Sequence, residues 1–365
     1  MNSQTKPKQT PKWIAVLAPL AVFTLSLVLY TSTLMPGVLP EDSGEFQLAA
    51  TQAGIAHAPG YPLHTMLGWL FTRLPLGPNP AWRANFLSAI TAAATLALVY
   101  ATAQRITRSP LAGLAAALTL GSATTFWATA TKASIRPLTV FFTALCLYAL
   151  VAHRQHKKRN DRYLVLFTLA FALGLTHHHG SFIFTGLVFI IYLLSIDPAL
   201  LRQPRRWIAP GLAFALGLLP LLYLPLRGPD SLRTLRGLLH YVLGLGFRGD
   251  MFALNLWERL AILPTLLDFQ FTPLLLLLML AGALYVLWLD RPLAWLLLGS
   301  ALVHTVIVLT YRAPQTVEYQ MPAYVVLALL AVIPARSAGS IQKRRVGRIW
   351  GHLLLLVVLC GGGVN

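Results

Sequence analysis

Apolar segments of about 20 residues recur along almost the whole chain, separated by short polar or basic stretches. A helix of that length crosses a hydrocarbon core of ~30 Å, and inside lipid the backbone satisfies its own polar groups only in helices or closed barrels. Charged residues make up 11% of the sequence, whereas soluble domains carry about 25%. The sequence therefore predicts an all-α, polytopic membrane protein.

These segments predict about eleven transmembrane helices. Their ranges are 13–34, 85–104, 110–128, 137–152, 162–178, 180–196, 207–226, 271–289, 292–310, 321–335 and 349–361. Two amphipathic pieces, 45–56 and 62–75, are too short or too polar to cross, so we expect them to lie along the membrane surface. The first span is too long for the apolar core of a signal peptide, and we expect it to be retained.

The distribution of Lys and Arg predicts how the chain is oriented, because cytoplasmic loops are enriched in both residues. The N-terminal tail and every second loop hold 19 of the 29 Lys and Arg residues, whereas eight of the 11 acidic residues lie in the other loops. We therefore expect a protein of the cell membrane with a cytoplasmic N-terminus and an outward-facing first loop. The net charge of +18 then reflects topology and contact with the lipid bilayer, and no nucleic-acid partner is expected.

The first predicted outer loop concentrates polar residues between apolar helices. Glu41, Asp42 and Glu45 are three of only 11 acidic residues, and a rigid turn that reads His-Ala-Pro-Gly-Tyr-Pro follows at 57–62. In one interpretation Asp42 caps a helix and Glu45 reaches back to complete a capping box. In the other, the two carboxylates act on a substrate at the outer face. The interpretations are compatible, because a carboxylate at a helix start is already oriented.

Arginines just outside predicted spans are candidates for binding a phosphate group, since a guanidinium can hold two phosphate oxygens at once. Arg227 is the first candidate, because it follows Tyr-Leu-Pro-Leu at a span end and opens the second long outer loop, 226–271. The alternative is that such side chains reach to lipid headgroups.

Three consecutive histidines at 177–179 precede Gly180, and we expect one of them to bind a phosphate or sugar rather than all three to hold a metal.

Several motifs that would indicate other functions are absent from the sequence. Cys146 and Cys360 both fall in predicted spans, so neither a disulfide framework nor a thiolate metal site is supported. The sequence has no Walker loop, no dinucleotide-binding fingerprint and no His-Glu-x-x-His motif. It also has no strong internal repeat of the kind found in inverted-repeat transporters.

Three motifs surround the first outer loop: PEDSGEF at 40–46, GIAHAPGYPL at 54–63 and RANFLSA at 83–89. Weaker landmarks follow at Phe126-Trp127, in YLPLR at 223–227 and in MPAY at 321–324. Together they resemble the protein O-mannosyltransferase-like multi-pass membrane proteins of the GT-C glycosyltransferase superfamily, over most of residues 13–335. The chain departs from that family where relatives carry Glu-Val-Tyr and this sequence has Ser-Ile-Arg at 134–136.

The resemblance implies a GT-C-like transmembrane domain over residues 13–335, with a first catalytic loop at 35–84. A cytoplasmic tail (1–12) would precede it, and a basic cytoplasmic loop with a final helix (336–365) would follow. Many relatives continue further, so a longer C-terminal part is expected to be missing. The implied reaction transfers mannose or a similar hexose from a polyprenyl-phosphate donor to a protein or glycan hydroxyl on the outer face, with inversion.

The implied mechanism needs a base for the acceptor hydroxyl and positive charge for the departing phosphate, because a lipid phosphate is already a good leaving group. Asp42 is assigned as the base, and Glu45 is expected to orient the acceptor or, with Asp42, to hold a divalent cation. The expected substrate-binding residues are Glu41, His57, Tyr61, Arg83, Lys132, Arg136, His178, His179, Arg227 and Arg312.

Two other functions are kept as alternatives. A transporter or flippase for a lipid-linked substrate would place polar groups near the midplane of several spans, whereas the charges here lie at span ends. A catalytically silent membrane scaffold would tolerate substitutions throughout the first loop.

Overall fold

The computed structural model describes residues 12–156, 161–312 and 315–336, together with residues 352 and 356. All regular secondary structure in these ranges is helical, which confirms the predicted all-α class. The α-helices are α1 (Lys12–Ser32), α2 (Glu41–Gln52), α3 (Pro62–Thr72), α4 (Pro80–Thr107), α5 (Pro110–Gly121), α6 (Thr124–Ala130), α7 (Arg136–His156), α8 (Arg162–Ile196), α9 (Ile208–Leu218), α10 (Tyr223–Arg227), α11 (Leu235–Val242), α12 (Leu256–Leu260), α13 (Leu263–Asp268), α14 (Pro273–Leu289), α15 (Arg291–Thr310), α16 (Thr316–Tyr319) and α17 (Met321–Val332). Short 3₁₀ helices cover Pro198–Leu201, Pro204–Trp207, Leu219–Leu222, Asp230–Arg233, Leu245–Phe247 and Ile333–Ala335.

The length and composition of several helices suit them to cross a membrane. Five continuous helical segments qualify within the described residues, and seven do if two bent pairs, α5 with α6 and α12–α13 with α14, each count as one span. The apolar segments Val16–Ser32 and Met321–Ala335 are shorter. A multi-pass membrane architecture is therefore confirmed. The first ten predicted spans coincide with helical segments, the last (349–361) lies outside the described residues, and the count of eleven stays a prediction.

Helix α8 is a hairpin of two antiparallel arms, which correspond to the predicted spans 162–178 and 180–196. Its backbone breaks at His178, whose φ of −152° and ψ of 79° are not helical. The ring of Phe171 on one arm lies 6.2 Å from that of Phe182 on the other. Arg206 binds both Asp161 and Asp197, which flank the two ends of α8. A straight helix of 35 residues would separate those ends by about 52 Å, so the arms must fold back at His178.

The core of the bundle lies around α4, which packs against α1, α5 and α7. Its buried face and that of α5 are rich in alanine, which lets helix axes approach closely where larger side chains would separate them. Ala89, Ala92 and Ala112 are among the fully buried residues. The bundle therefore relies on close backbone packing at its centre.

The first loop folds onto one end of the bundle, which we call the first-loop end. Helices α2 and α3 pack against each other and against α4. Helix α3 also exposes Met66, Trp69 and Leu70, which suits a helix at a membrane surface. Helix α2 instead buries Phe46 and Ala50 within the protein. The two pieces predicted to lie along the surface thus differ: α3 keeps an exposed apolar face and α2 is largely enclosed.

Ion pairs tie the helices together at the opposite end of the bundle. Both oxygens of Asp290 accept from Arg154, and one also accepts from Arg336, at 2.8 Å in each case. Burial alone would raise the pKa of Asp290, but the hydrogen bonds from these two arginines hold the pKa below its usual value. Asp290 thereby links the start of α15 to the ends of α7 and α17.

Gly174→Ala should destabilise the protein by about 1–3 kcal/mol, because a methyl group there would lie 2.7 Å from the ring of Phe182 on the other arm of α8. Gly211→Ala is the matched control: it also lies inside a helix, but a methyl group there meets nothing within 4 Å. Alanine's higher helix propensity should leave that control at least as stable as wild type. Melting temperatures in one detergent measure both effects, and an unchanged value for Gly174→Ala would contradict close packing of the arms.

Candidate active site

The first turn of α2 presents Asp42 to the candidate site. The helix begins at Glu41, its N-cap is Pro40, and no side chain caps it. The capping interpretation of Asp42 and Glu45 is therefore wrong: Asp42 already lies inside the helix, and Glu45 binds His57 instead of reaching back. Glu41 has a φ of +58°, a left-handed conformation that costs energy for a residue with a side chain. The chain thus bends sharply into α2 and leaves Asp42 half-buried.

Three distant segments of the chain meet Asp42 in one small polar cavity. The segments are the start of α2, the connection from α6 into α7, and the connection between α15 and α17, which contains α16. The cavity is lined by Glu41, Asp42, Ser43, Phe46, Lys132, Ala133, Ser134, Ile135, Arg136, Gln315 and Glu318. It brings together four of the residues predicted from the sequence, namely Glu41, Asp42, Lys132 and Arg136.

Arg136 is the most enclosed charge of the cavity, with 5% of its surface exposed. Its guanidinium carbon lies 3.6 Å from the centroid of the Tyr319 ring, a close cation–π contact. Its Nε lies 3.7 Å from Oε2 of Glu318, and Lys132 Nζ lies 3.2 Å from Oε1 of the same carboxylate. Two cations of one cavity therefore share one carboxylate, which is a suitable arrangement for binding an anion.

Gln315 connects the acidic and the basic walls of the cavity. Its amide Nε2 donates to Oδ2 of Asp42 at 3.2 Å, and its Oε1 accepts from Nη2 of Arg136 at 3.4 Å. One neutral side chain thus separates the carboxylate from the guanidinium. Asp42 is therefore close to a strong positive charge without forming an ion pair with it, and its second oxygen is available to a ligand.

Glu45 fixes the turn that follows α2. It accepts from the backbone N–H of His57 through Oε1, and His57 Nδ1 lies 2.6 Å from Oε2. Ligand atoms of Asp42, Glu45 and His57 lie within 4.8 Å of one another. Two carboxylates and an imidazole are donors that divalent cations accept, so the residues fit the predicted cation if it replaces the contact between Glu45 and His57.

Tyr61 and His178 lie next to the residues of the cavity. Their rings are stacked with centroids 6.1 Å apart, and His178 also lies against Tyr319. Burial raises the pKa of Tyr61, and Tyr319 and Asp42 add to this while Arg136 opposes it. Tyr61 therefore stays neutral and keeps its hydroxyl proton. The break of α8 at His178 is what places a polar ring from that helix under the first loop.

Four predicted site residues lie away from this cavity. Arg227 donates to the backbone carbonyls of Ala53 and Gln52, at the far end of α2 from Asp42. Arg83 donates to the carbonyls of Thr72 and Leu76 and closes the turn between α3 and α4. Arg312 is exposed, with its backbone N–H bonded to Asp250. His179 is partly buried beside the second loop, near Leu243.

The sequence analysis did not predict the polar residues Gln315 and Glu318, which line the cavity, or Tyr319, which packs on Arg136. Glu318 was counted among the eight acidic residues of the outer loops, so its charge was a usable signal. What the sequence did not reveal is its partner, because Lys132 precedes it by 186 positions. Gln315 and Tyr319 carry no charge and belong to no recognisable motif.

Comparison with known proteins identifies the region that contains most of this cavity. Residues 42–200 match a family model described as the protein O-mannosyl-transferase TMEM260 N-terminal domain. The predicted family resemblance is confirmed. Protein O-mannosyl-transferase TMEM260 of Mus musculus is 30% identical over 220 residues, which are 58% of this chain and 30% of that protein. Its counterpart in Dictyostelium discoideum is 26% identical over 189 residues, 48% of this chain and 23% of that protein.

The chain thus matches less than a third of the length of either relative. Among solved structures it is similar to ArnT from Cupriavidus metallidurans bound to undecaprenyl phosphate, with a TM-score of 0.66 at 17% identity. The same protein in the apo state gives a TM-score of 0.57 at 18% identity. Each comparison covers 94% of this chain and 63% of ArnT. At this identity the likeness establishes the fold, and it confirms the predicted GT-C-like architecture.

Proposed function

We propose that the chain is a membrane glycosyltransferase that moves a sugar from a polyprenyl-phosphate donor to a hydroxyl group. The observation that carries this proposal is the cavity in which Asp42 faces Lys132 and Arg136 across Gln315. A carboxylate beside paired cations supplies both requirements of the reaction, a base for the acceptor and positive charge for the leaving phosphate. The relatives' names support transfer of mannose to protein, and ArnT with bound undecaprenyl phosphate supports a polyprenyl-phosphate donor.

In this mechanism Arg136 and Lys132 hold the donor phosphate. Arg136 is oriented by Tyr319 and enclosed by the protein, so its hydrogen bonds to a phosphate would act in a medium of low dielectric constant. Lys132 is half-buried and has a flexible side chain, so its ammonium group can stay close to the phosphate as the phosphate leaves. Their combined charge stabilises the anion that develops as the glycosidic bond to phosphate breaks.

Asp42 accepts the proton of the acceptor hydroxyl as its oxygen attacks the anomeric carbon. The base and the phosphate-binding cations stand on different walls of the cavity, so acceptor and leaving group approach the sugar from different sides. Attack opposite the phosphate in a single displacement inverts the anomeric centre. A divalent cation held by Asp42, Glu45 and His57 would supply a further positive charge for orienting the acceptor. We place the reaction at the first-loop end, on the outer face of the cell membrane.

Replacing Arg136 should impair donor use far more than replacing Arg227. Arg136→Ala removes a donor to the developing phosphate anion and should lower the transfer rate by about 10²–10³-fold. Arg136→Lys keeps the charge without the planar group that stacks on Tyr319, and should recover only part of that loss. Arg227→Ala is the matched control, because it removes an arginine that lies away from the cavity and donates to backbone carbonyls at the end of α2.

Release of polyprenyl phosphate from a polyprenyl-phosphate mannose donor measures the effect, with melting temperatures as a check on folding. Loss of activity in Arg227→Ala with normal turnover in Arg136→Ala would return the phosphate role to Arg227.

Substitutions of Asp42 separate its catalytic role from a structural one. Asp42→Asn keeps the shape of the side chain and a polar oxygen that can accept from Gln315, so the melting temperature should change little. It removes the basic carboxylate, and loss of a general base typically lowers the rate by about 10²–10⁴-fold. Asp42→Ala should be equally inactive. Sugar transfer and melting temperature are measured on the same preparations, and normal turnover by Asp42→Asn would end the assignment of this residue as the base.

A further inference from the structure

We propose that Glu318 occupies the donor-phosphate site in the ligand-free protein and is displaced when the donor binds. The inference rests on the proposed function, and it adds a regulatory contact to that site. The short connection that carries α16 then inhibits the site, and only binding of a phosphate removes this inhibition.

The position of the Glu318 carboxylate is that of a bound anion. Its two oxygens face two different cations, Oε1 toward Lys132 Nζ at 3.2 Å and Oε2 toward Arg136 Nε at 3.7 Å. A phosphate that bridged the same two cations would place its oxygens where these oxygens lie. Since the carboxylate and the phosphate cannot occupy that space together, one excludes the other.

The charge balance of the cavity favours an exchange of one anion for the other. Arg136 is almost fully buried, and a buried guanidinium left without a counter-charge is strongly destabilising. Glu318 supplies that counter-charge while no donor is present. A phosphodiester donor carries one negative charge, so replacing Glu318 by the donor keeps the balance. Adding the donor without removing Glu318 would crowd two anions beside Asp42, itself a carboxylate of the same cavity.

The same connection also covers the base. Gln315, three residues before Glu318, donates to Asp42 and accepts from Arg136. Helix α16 has only four residues, and it is anchored beside the cavity by a hydrogen bond from Arg259 to Thr316. Displacement of Glu318 would shift Gln315 with it and free Oδ2 of Asp42, the oxygen that Gln315 holds. Donor binding would therefore leave both oxygens of Asp42 open to the acceptor, which favours activation of the acceptor when a donor is present.

Binding of undecaprenyl phosphate without a sugar tests the inference apart from catalysis. The full chain is placed in nanodiscs, and the dissociation constant is measured for wild type, Glu318→Gln and Glu318→Asp. Glu318→Gln removes the carboxylate that competes with the phosphate for the site. The apparent affinity for undecaprenyl phosphate then rises in proportion to the fraction of the protein that is able to bind it. We expect Glu318→Gln to bind about tenfold more tightly than wild type.

Glu318→Asp separates displacement from a general effect of charge, because it keeps the charge but withdraws the carboxylate by one methylene group. We expect it to bind more tightly than wild type and less tightly than Glu318→Gln. Glu258→Gln removes an exposed carboxylate from α12, next to the arginine that anchors α16, and should leave the constant within about twofold of wild type.

Each other outcome overturns the inference. Unchanged or weaker binding by Glu318→Gln would show that Glu318 positions the two cations for the donor. Tighter binding by Glu318→Gln and Glu258→Gln alike, or by Glu318→Gln but not Glu318→Asp, would show an effect of net charge alone. If wild type and all folded variants fail to bind undecaprenyl phosphate, the donor assignment itself fails, whereas failure of the inference alone leaves wild-type binding intact.

Discussion

A buried pair of amide side chains, Asn85 and Gln47, fixes the geometry on which the site depends. Asn85 is fully buried and uses its amide in three directions: its Oδ1 accepts from Gln47 and from the backbone of Ala133, and its Nδ2 donates to Met35. Buried polar groups must be paired, so this arrangement allows few alternatives. It joins α4 to α2, which carries Asp42, and to the connection that leads into Arg136. Asp42, the proposed base, and the cations are positioned relative to each other by these contacts.

The two ends of the bundle use charge in different ways. At the opposite end, the buried carboxylate of Asp290 is shared by two arginines, and Arg206 bridges Asp161 and Asp197. Those charges bind each other and hold helices together. At the first-loop end, Lys132 and Arg136 share one carboxylate and a neutral amide separates them from Asp42. The positive charge at this end is less fully compensated and lies next to a carboxylate, which suits the phosphate and the hydroxyl of the proposed substrates.

Much of the fold was predictable because membrane helices are encoded locally. Apolar length alone gave the first ten helical segments, and the break within α8 was predictable from three histidines followed by Gly180. Charged residues are scarce in such a chain and lie at span ends. For this reason the sequence could identify Asp42, Lys132 and Arg136 as candidate site residues.

The remaining features depend on contacts between distant parts of the chain. Glu318 and Gln315 reach the cavity because α16 folds over it, and no local spacing encodes that approach. Arg227 resembled a phosphate ligand in sequence, but its actual partners are backbone carbonyls at the end of α2, which no side-chain motif reveals. The cap interpretation of Asp42 was wrong by two positions, because the N-cap is Pro40 and the helix begins at Glu41.

The most direct measurement of the central claim is an experimental structure of the protein with a polyprenyl phosphate bound. The account predicts that the phosphate lies within about 4 Å of both the Arg136 guanidinium and Lys132 Nζ, the distance of a charge-assisted contact. It also predicts that Asp42 faces the phosphate across the space left for a sugar. A phosphate bound beside Arg227, with Lys132 and Arg136 still paired to Glu318, would contradict it.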